Sequence, residues 1–131
     1  MTHTLRTEIA ADTGRRPTAG AFIAALSRIW TGIADRAGPY WRIYRQGAAG
    51  DPELQRDWND ILTRRRETMD EIARLVPPDG LHPDLSHAAV TDTLWAIANP
   101  DVFLLLTVNG GYDLQRFESW LRRTLTASLC T

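Results

Sequence analysis

At 131 residues, with 44% hydrophobic and 24% charged side chains, the chain is long enough to bury a core without disulfides or a structural metal, and its composition is that of an ordinary globular domain. Fifteen basic against sixteen acidic residues give a net charge of −1, so there is no positive excess to hold a polyphosphate backbone, and this chain by itself is expected to bind nucleic acid poorly. A single cysteine, Cys130, excludes an intramolecular disulfide and points to a reducing cytoplasm, and no run of about 18 apolar residues or charged-then-apolar leader suggests a membrane span or a signal peptide.

All fifteen basic residues are arginine, which fits GC-rich bacterial coding. Along the chain, residues 3 to 13 read as a short helix ended by "DTGRRP", with Gly14 and Pro17. Thr18 can cap the next helix, whose apolar stripe is Phe22, Leu26, Ile29, Trp30 and Ile33. Gly38 and Pro39 are expected to stop it and open a shorter aromatic helix, "PYWRIYRQGAAG". Asp51 caps a long helix with Pro52 in its first turn, where a missing amide costs least. Its stripe runs through Leu54, Trp58, Ile61, Leu62, Arg65, Met69, Ile72 and Val76, and Pro77 and Pro78 end it. After the loop "PPDGLHPD", Ser86 or a neighbour starts a helix whose stripe includes Ala89, Leu94, Trp95, Ile97 and Ala98.

The stretch "NPDVFLLLTVNGGYD", Asn99 to Asp113, carries two competing signals. Its β-formers followed by Asn-Gly suggest a hairpin, but no other strand exists to receive one, and an isolated hairpin is marginal in water. Asn99 as N-cap, Pro100 at the first helical position and Asp101 in the first turn favour a helix over 100–108, closed by Asn109-Gly110-Gly111. Asp113 then caps a last helix with Leu114, Phe117, Trp120, Leu121, Thr124, Leu125 and Ser128 on one broad face. The whole predicts an all-α, antiparallel helical bundle in one domain.

The segment from Asp92 to Leu129 resembles the C-terminal end of TetR-type transcriptional regulators, where a helix with "LWAL" runs into "-NPEVY-LL-", a Gly-Tyr or Gly-Trp turn and a last helix with "YE-WL---L". The matching residues are Leu94-Trp95-Ala96, Asn99-Pro100-Asp101-Val102-Phe103, Gly111-Tyr112 and Phe117-Glu118-Ser119-Trp120-Leu121. Upstream, "DPELQRDWNDILTRRRETMDEIARL" is similar to the long central helix of that subgroup, so the likeness covers most of residues 40 to 129. The family's three-helix DNA-binding domain, about fifty residues containing a helix-turn-helix, has no counterpart among these 131 residues. Either the sequence is a piece that keeps only the sensor, or the protein works without a DNA reader of its own.

The resemblance implies three sections: an N-terminal helix and loop over 1–17, ligand-pocket helices over 18–78 and dimerisation helices over 79–131. It implies a homodimer, with Leu94, Trp95, Ala98, Phe117, Trp120, Leu121, Thr124, Leu125 and Ser128 as interface candidates. It also implies a pocket for a hydrophobic small molecule whose binding modulates DNA binding through the missing domain. Five large aromatics lie within thirty residues, Trp30, Tyr40, Trp41, Tyr44 and Trp58, and pockets for small molecules are lined mainly by such groups. With Leu62, Arg65 and Phe103 they are the ligand-binding candidates. Arg65 interrupts an apolar stripe, where an unpaired guanidinium is costly, so it needs a carboxylate inside the fold, a path to solvent or an anionic or carbonyl-bearing ligand.

Other chemistry finds little support. His3, His82 and His87 lack metal-ligand spacing, so no metal or cofactor is expected. "RRR" at 64–66 projects in three directions about 100° apart and is followed by Glu67, Asp70 and Glu71, which favours a salt-bridged surface over a phosphate site. No glycine-rich phosphate loop or nucleophile motif occurs. Glu53, Asp57 and Asp60 are acids without a partner to make an enzyme of them. The competing reading is a stand-alone helical protein that binds a small hydrophobic molecule or pairs with related regulators and disables them.

Overall fold

In the computed structural model of the chain, the described residues are 17–131 and the single position Thr7. Apart from Thr7, the helix expected over 3–13 therefore lies outside them, as does His3. Helix α1, Ala19–Ala48, starts where the Thr18 hydroxyl accepts from Ala21 N at 3.1 Å. It does not stop at Gly38–Pro39 but runs through both as one helix of 30 residues, which corrects the two-helix expectation. An interior proline removes one i→i−4 hydrogen bond and crowds the preceding turn, and here tertiary packing outweighs that cost. At Gly38, α1 packs on Phe103 and Leu104 with ordinary spacing, since a Cβ there would lie 3.4 Å from Leu104 Cδ2 and 3.7 Å from Phe103 Cε2.

Helix α2, Pro52–Leu75, begins with the Asp51 carboxylate accepting from Glu53 N at 2.9 Å. It ends at Val76, whose extended conformation suits the residue before a proline. Helix α3, His87–Ile97, starts with Ala89 N donating to Ser86 Oγ at 3.1 Å. Helix α4, Pro100–Leu104, follows after a break at Ala98 and Asn99 and widens into a π-helical turn, Leu105–Asn109. The 23-residue stretch His87–Asn109 is long and apolar enough to cross a membrane by composition, yet that break divides it into helices shorter than the roughly 20 residues a span needs. Helix α5, Leu114–Leu129, is capped by Asp113, which accepts from Arg116 N at 2.7 Å.

The stretch 99–113 is thus helical, with no hairpin. Gly110 N donates to Leu105 O and Tyr112 N to Leu106 O, both at 2.9 Å, and Gly111 turns the chain with a φ of 71°. Gly110 is required for a different reason: a Cβ there would sit 2.7 Å from the Leu106 carbonyl oxygen.

The bundle places α1 against α2 and α5, and α3 against α2 and α5. Its centre is Phe22, Ile23 and Leu26 from α1, Ile72 from α2, Leu94 from α3, and the i, i+4, i+8, i+12 series Phe117, Leu121, Leu125 and Leu129 from α5, all sealed from solvent. Phe117 contacts Trp30, Phe103 and Trp120 at ring-centroid distances of 6.0, 4.9 and 5.9 Å. The loop between α2 and α3 is pinned to the start of α1 and the end of α5. Asp79 O accepts from Ala19 N at 2.7 Å, Leu129 O from His82 N at 2.7 Å and Gly80 O from Thr131 N at 3.1 Å.

Candidate functional site

Helices α1 and α2 face each other with the same spacing and opposite bulk. From α1 come Trp30, Ala34, Ala37, Gly38 and Trp41; from α2 come Ile61, Arg65, Thr68, Met69 and Ile72. Each set follows i, i+4, i+7, i+8, i+11, which is one helical stripe. The three middle positions of α1 are Ala, Ala and Gly, so a pair of helices that would otherwise interdigitate leaves a cavity of about 330 Å³. Trp30 and Trp41 stand at its two ends on α1, and Pro100 at the start of α4 closes one side.

Around the Trp41 end, three helices are joined by polar contacts. Asp101, in the first turn of α4, accepts from Trp41 Nε1 at 2.9 Å and pairs with the Arg45 guanidinium. Arg65 crosses from α2 and donates to Trp95 O at 3.4 Å and to Ala98 O. These carbonyls lie at the C-terminal end of α3, where a cation answers both the orphan acceptors and the helix dipole. Burial pushes the Arg65 guanidinium down to about 10, with nearby Asp101 acting in the opposite direction. The three consecutive arginines separate as their 100° steps require. Arg64 reaches back to Asp60 O at 3.4 Å, while Arg66 pairs with Asp92 and stacks over Trp95, 4.9 Å from the ring centroid. Arg66 thus finds its partners on α3 and not among the acids that follow it on α2.

Of the eight ligand candidates, Trp30, Trp41 and Arg65 line the cavity, and of the partners left open for Arg65 the structure shows main-chain carbonyls in place of a carboxylate. Trp58 does not line it and packs instead on Trp41, with centroids 4.6 Å apart. Leu62 is half-buried beside the cavity stripe but is not part of it. Phe103 is a core residue that supports Trp30 at 6.4 Å. Tyr40 and Tyr44 are exposed, Tyr40 to 71%, because a residue next to Trp41 is turned about 100° from it. The residues that sequence reasoning missed are the small ones, Ala34, Ala37 and Gly38, together with Thr68. Their signal was present as small residues at i, i+3, i+4 opposite a bulky stripe.

Of the nine interface candidates, Leu94, Ala98, Phe117, Leu121 and Leu125 are 0% exposed in the single chain. They are committed to its own core and offer no surface to a second copy. Trp95 and Ser128 are exposed, and Trp120 and Thr124 are half-buried. Trp120, Thr124 and Ser128 share one strip of α5 by their i, i+4, i+8 spacing.

Glu53, Asp57 and Asp60 are exposed, and none lines the cavity. His82 Nδ1 accepts from Asp84 N at 3.2 Å within the loop, and His87 Nε2 lies 2.7 Å from Asp70 Oδ1. Among the described residues no three His, Cys, Asp or Glu side chains gather as a metal site. Compared with protein-family models, curated proteins and solved structures, the chain matches none of them.

Proposed function

We propose that the chain is the small-molecule-sensing and dimerising part of a TetR-type transcriptional regulator, a cytoplasmic protein that acts on DNA only through a helix-turn-helix segment outside these 131 residues. The observation that carries this reading is the cavity between α1 and α2. Its volume of about 330 Å³ lies at the small end of the roughly 300–1,000 Å³ usual for ligand pockets, and its walls are mostly aliphatic and aromatic.

The surroundings of the cavity suit a sensor. Pro100 touches the cavity, Asp101 holds Trp41, and Phe103 packs on Phe117 of α5. An occupant that displaces Trp41 or Pro100 would therefore bias the position of α4 against α5, by no more than its difference in affinity for the two arrangements. The remaining surface of α5, with Trp120, Thr124 and Ser128, is the proposed contact with a second copy.

The test is intrinsic tryptophan fluorescence across a panel of hydrophobic ligands, on the chain as it stands and on Ala34→Leu, which fills the cavity. Saturable changes in the parent that disappear in Ala34→Leu are expected. A flat response to the whole panel overturns the sensing role, and a response unchanged in Ala34→Leu moves the site away from this cavity.

A further inference from the structure

The polar lining of the cavity is one-sided. Among the described residues no carboxylate faces it, and its charged groups there are the guanidiniums of Arg64 and Arg65. The Thr68 hydroxyl turns to the Arg64 carbonyl at 3.0 Å, and the Trp41 N–H is engaged by Asp101 at 2.9 Å. Trp30, which lines the cavity, is only 6% exposed. Ser27 Oγ is the one side-chain polar atom among the described residues that is both sealed and unpartnered.

We propose that the occupant is a small apolar acid, its carboxylate held by Arg64 and Arg65 and its apolar body lying along Ala34, Ala37 and Met69; this rests on the small-molecule reading above. Two physical facts favour an anion over a neutral molecule. Arg65 is surrounded by neutral carbonyls, and Asp101, the carboxylate near it, is already shared by Trp41 and Arg45. Its charge is thus incompletely answered, in keeping with the downward pull of burial on that guanidinium. Arg64 makes one long bond to a main-chain carbonyl, which leaves its terminal nitrogens free to take a carboxylate in fork geometry. A cation would meet two like charges and no acceptor of its own charge.

Binding is measured by calorimetry at neutral pH for two matched pairs, octanoate against octanol and phenylbutyrate against phenylbutanol. In at least one pair the acid is expected to bind about tenfold more tightly than its alcohol, the difference shrinking in Arg64→Gln and at high salt. Arg65→Gln is avoided as the main variant because it uncaps α3, whereas Arg64 is exposed and its bond to Asp60 O stays within its own helix. Alcohols binding as tightly as their acids overturn the anion proposal and leave the small-molecule reading intact. No binding by either pair overturns the anion proposal, and the broad fluorescence panel then decides separately whether the cavity takes ligands at all.

Discussion

Replacing Arg65 by methionine keeps an unbranched stem of similar length and removes the guanidinium, so the effect isolates what the charge does at the end of α3. Two terms oppose each other. The bonds to Ala98 O and Trp95 O are charge-assisted, at about 1.5–3 kcal/mol each, and the one at 3.4 Å counts at the low end, so their loss costs about 3–4 kcal/mol. Against this, burial pulls the guanidinium well down from its ordinary value, to about 10. At 1.36 kcal/mol per pKa unit, removing the charge recovers roughly 3 kcal/mol. The net expectation is a small loss, about 1 kcal/mol, read as a lower urea midpoint at unchanged slope. The local effect is larger than the global one: amide exchange at Ala98, whose N–H donates to Leu94 O at 2.9 Å, accelerates as the end of α3 frays. A loss above about 3 kcal/mol would show that burial costs the charge far less than this reasoning assumes. Unchanged exchange at Ala98 would show that Arg65 does not hold the helix end.

Three further outcomes follow from single positions. Gly38→Ala is expected to raise stability by about 0.5–1 kcal/mol, because its Cβ meets only ordinary contacts inside a helix, whereas Gly110→Ala drives a Cβ to 2.7 Å from a backbone oxygen and lowers it; thermal melts of the two variants moving the same way would refute the distinction. The Asp70 carboxyl is held below its ordinary value, first by the hydrogen bond from His87 and also by Arg74. Because folding lowers that pKa, the contribution is present above the unfolded carboxylate value and is lost as pH falls through the folded one, so from neutral pH to about pH 3 the parent should lose more stability than Asp70→Asn; parallel acid titrations would argue that the contact carries no linkage. Finally, Thr124→Arg with Ser128→Arg puts two cations on the strip proposed to meet a second copy. Sedimentation should then show a dimeric parent and a monomeric, folded variant, and a dimer that survives both substitutions excludes that strip.

Local capping chemistry was the most legible layer of the sequence. Thr18, Asp51, Ser86, Asn99 and Asp113 each read as a helix cap, and each accepts a first-turn amide in the structure. A cap involves residues two or three apart, so the sequence holds the whole interaction. The α5 stripe was legible for the same reason, since its apolar period is carried within one helix. What the period could not say was which partner covers it. Five of the nine positions assigned to a second copy prove to be covered by α1 to α4 of the same chain, because burial by self and burial by another subunit select the same side chains.

The misread positions have a common cause. Gly38 and Pro39 failed as a stop because Phe103 and Leu104 lie against α1 there. The partner of Arg65 stayed open because it is a pair of main-chain carbonyls about thirty residues away, invisible to any side-chain pattern. The expected 100–108 helix ends as a π turn, and π turns recur where a helix is adapted to a site. Gly38 and Arg65 both line the cavity, and Asp101 at the start of α4 joins its Trp41 end. A sequence that folds cooperatively keeps its local and global preferences in agreement almost everywhere, and departures are concentrated where function constrains the chain. That Gly38 and Arg65 both lie on this cavity is a reason independent of its volume to look for ligand there first.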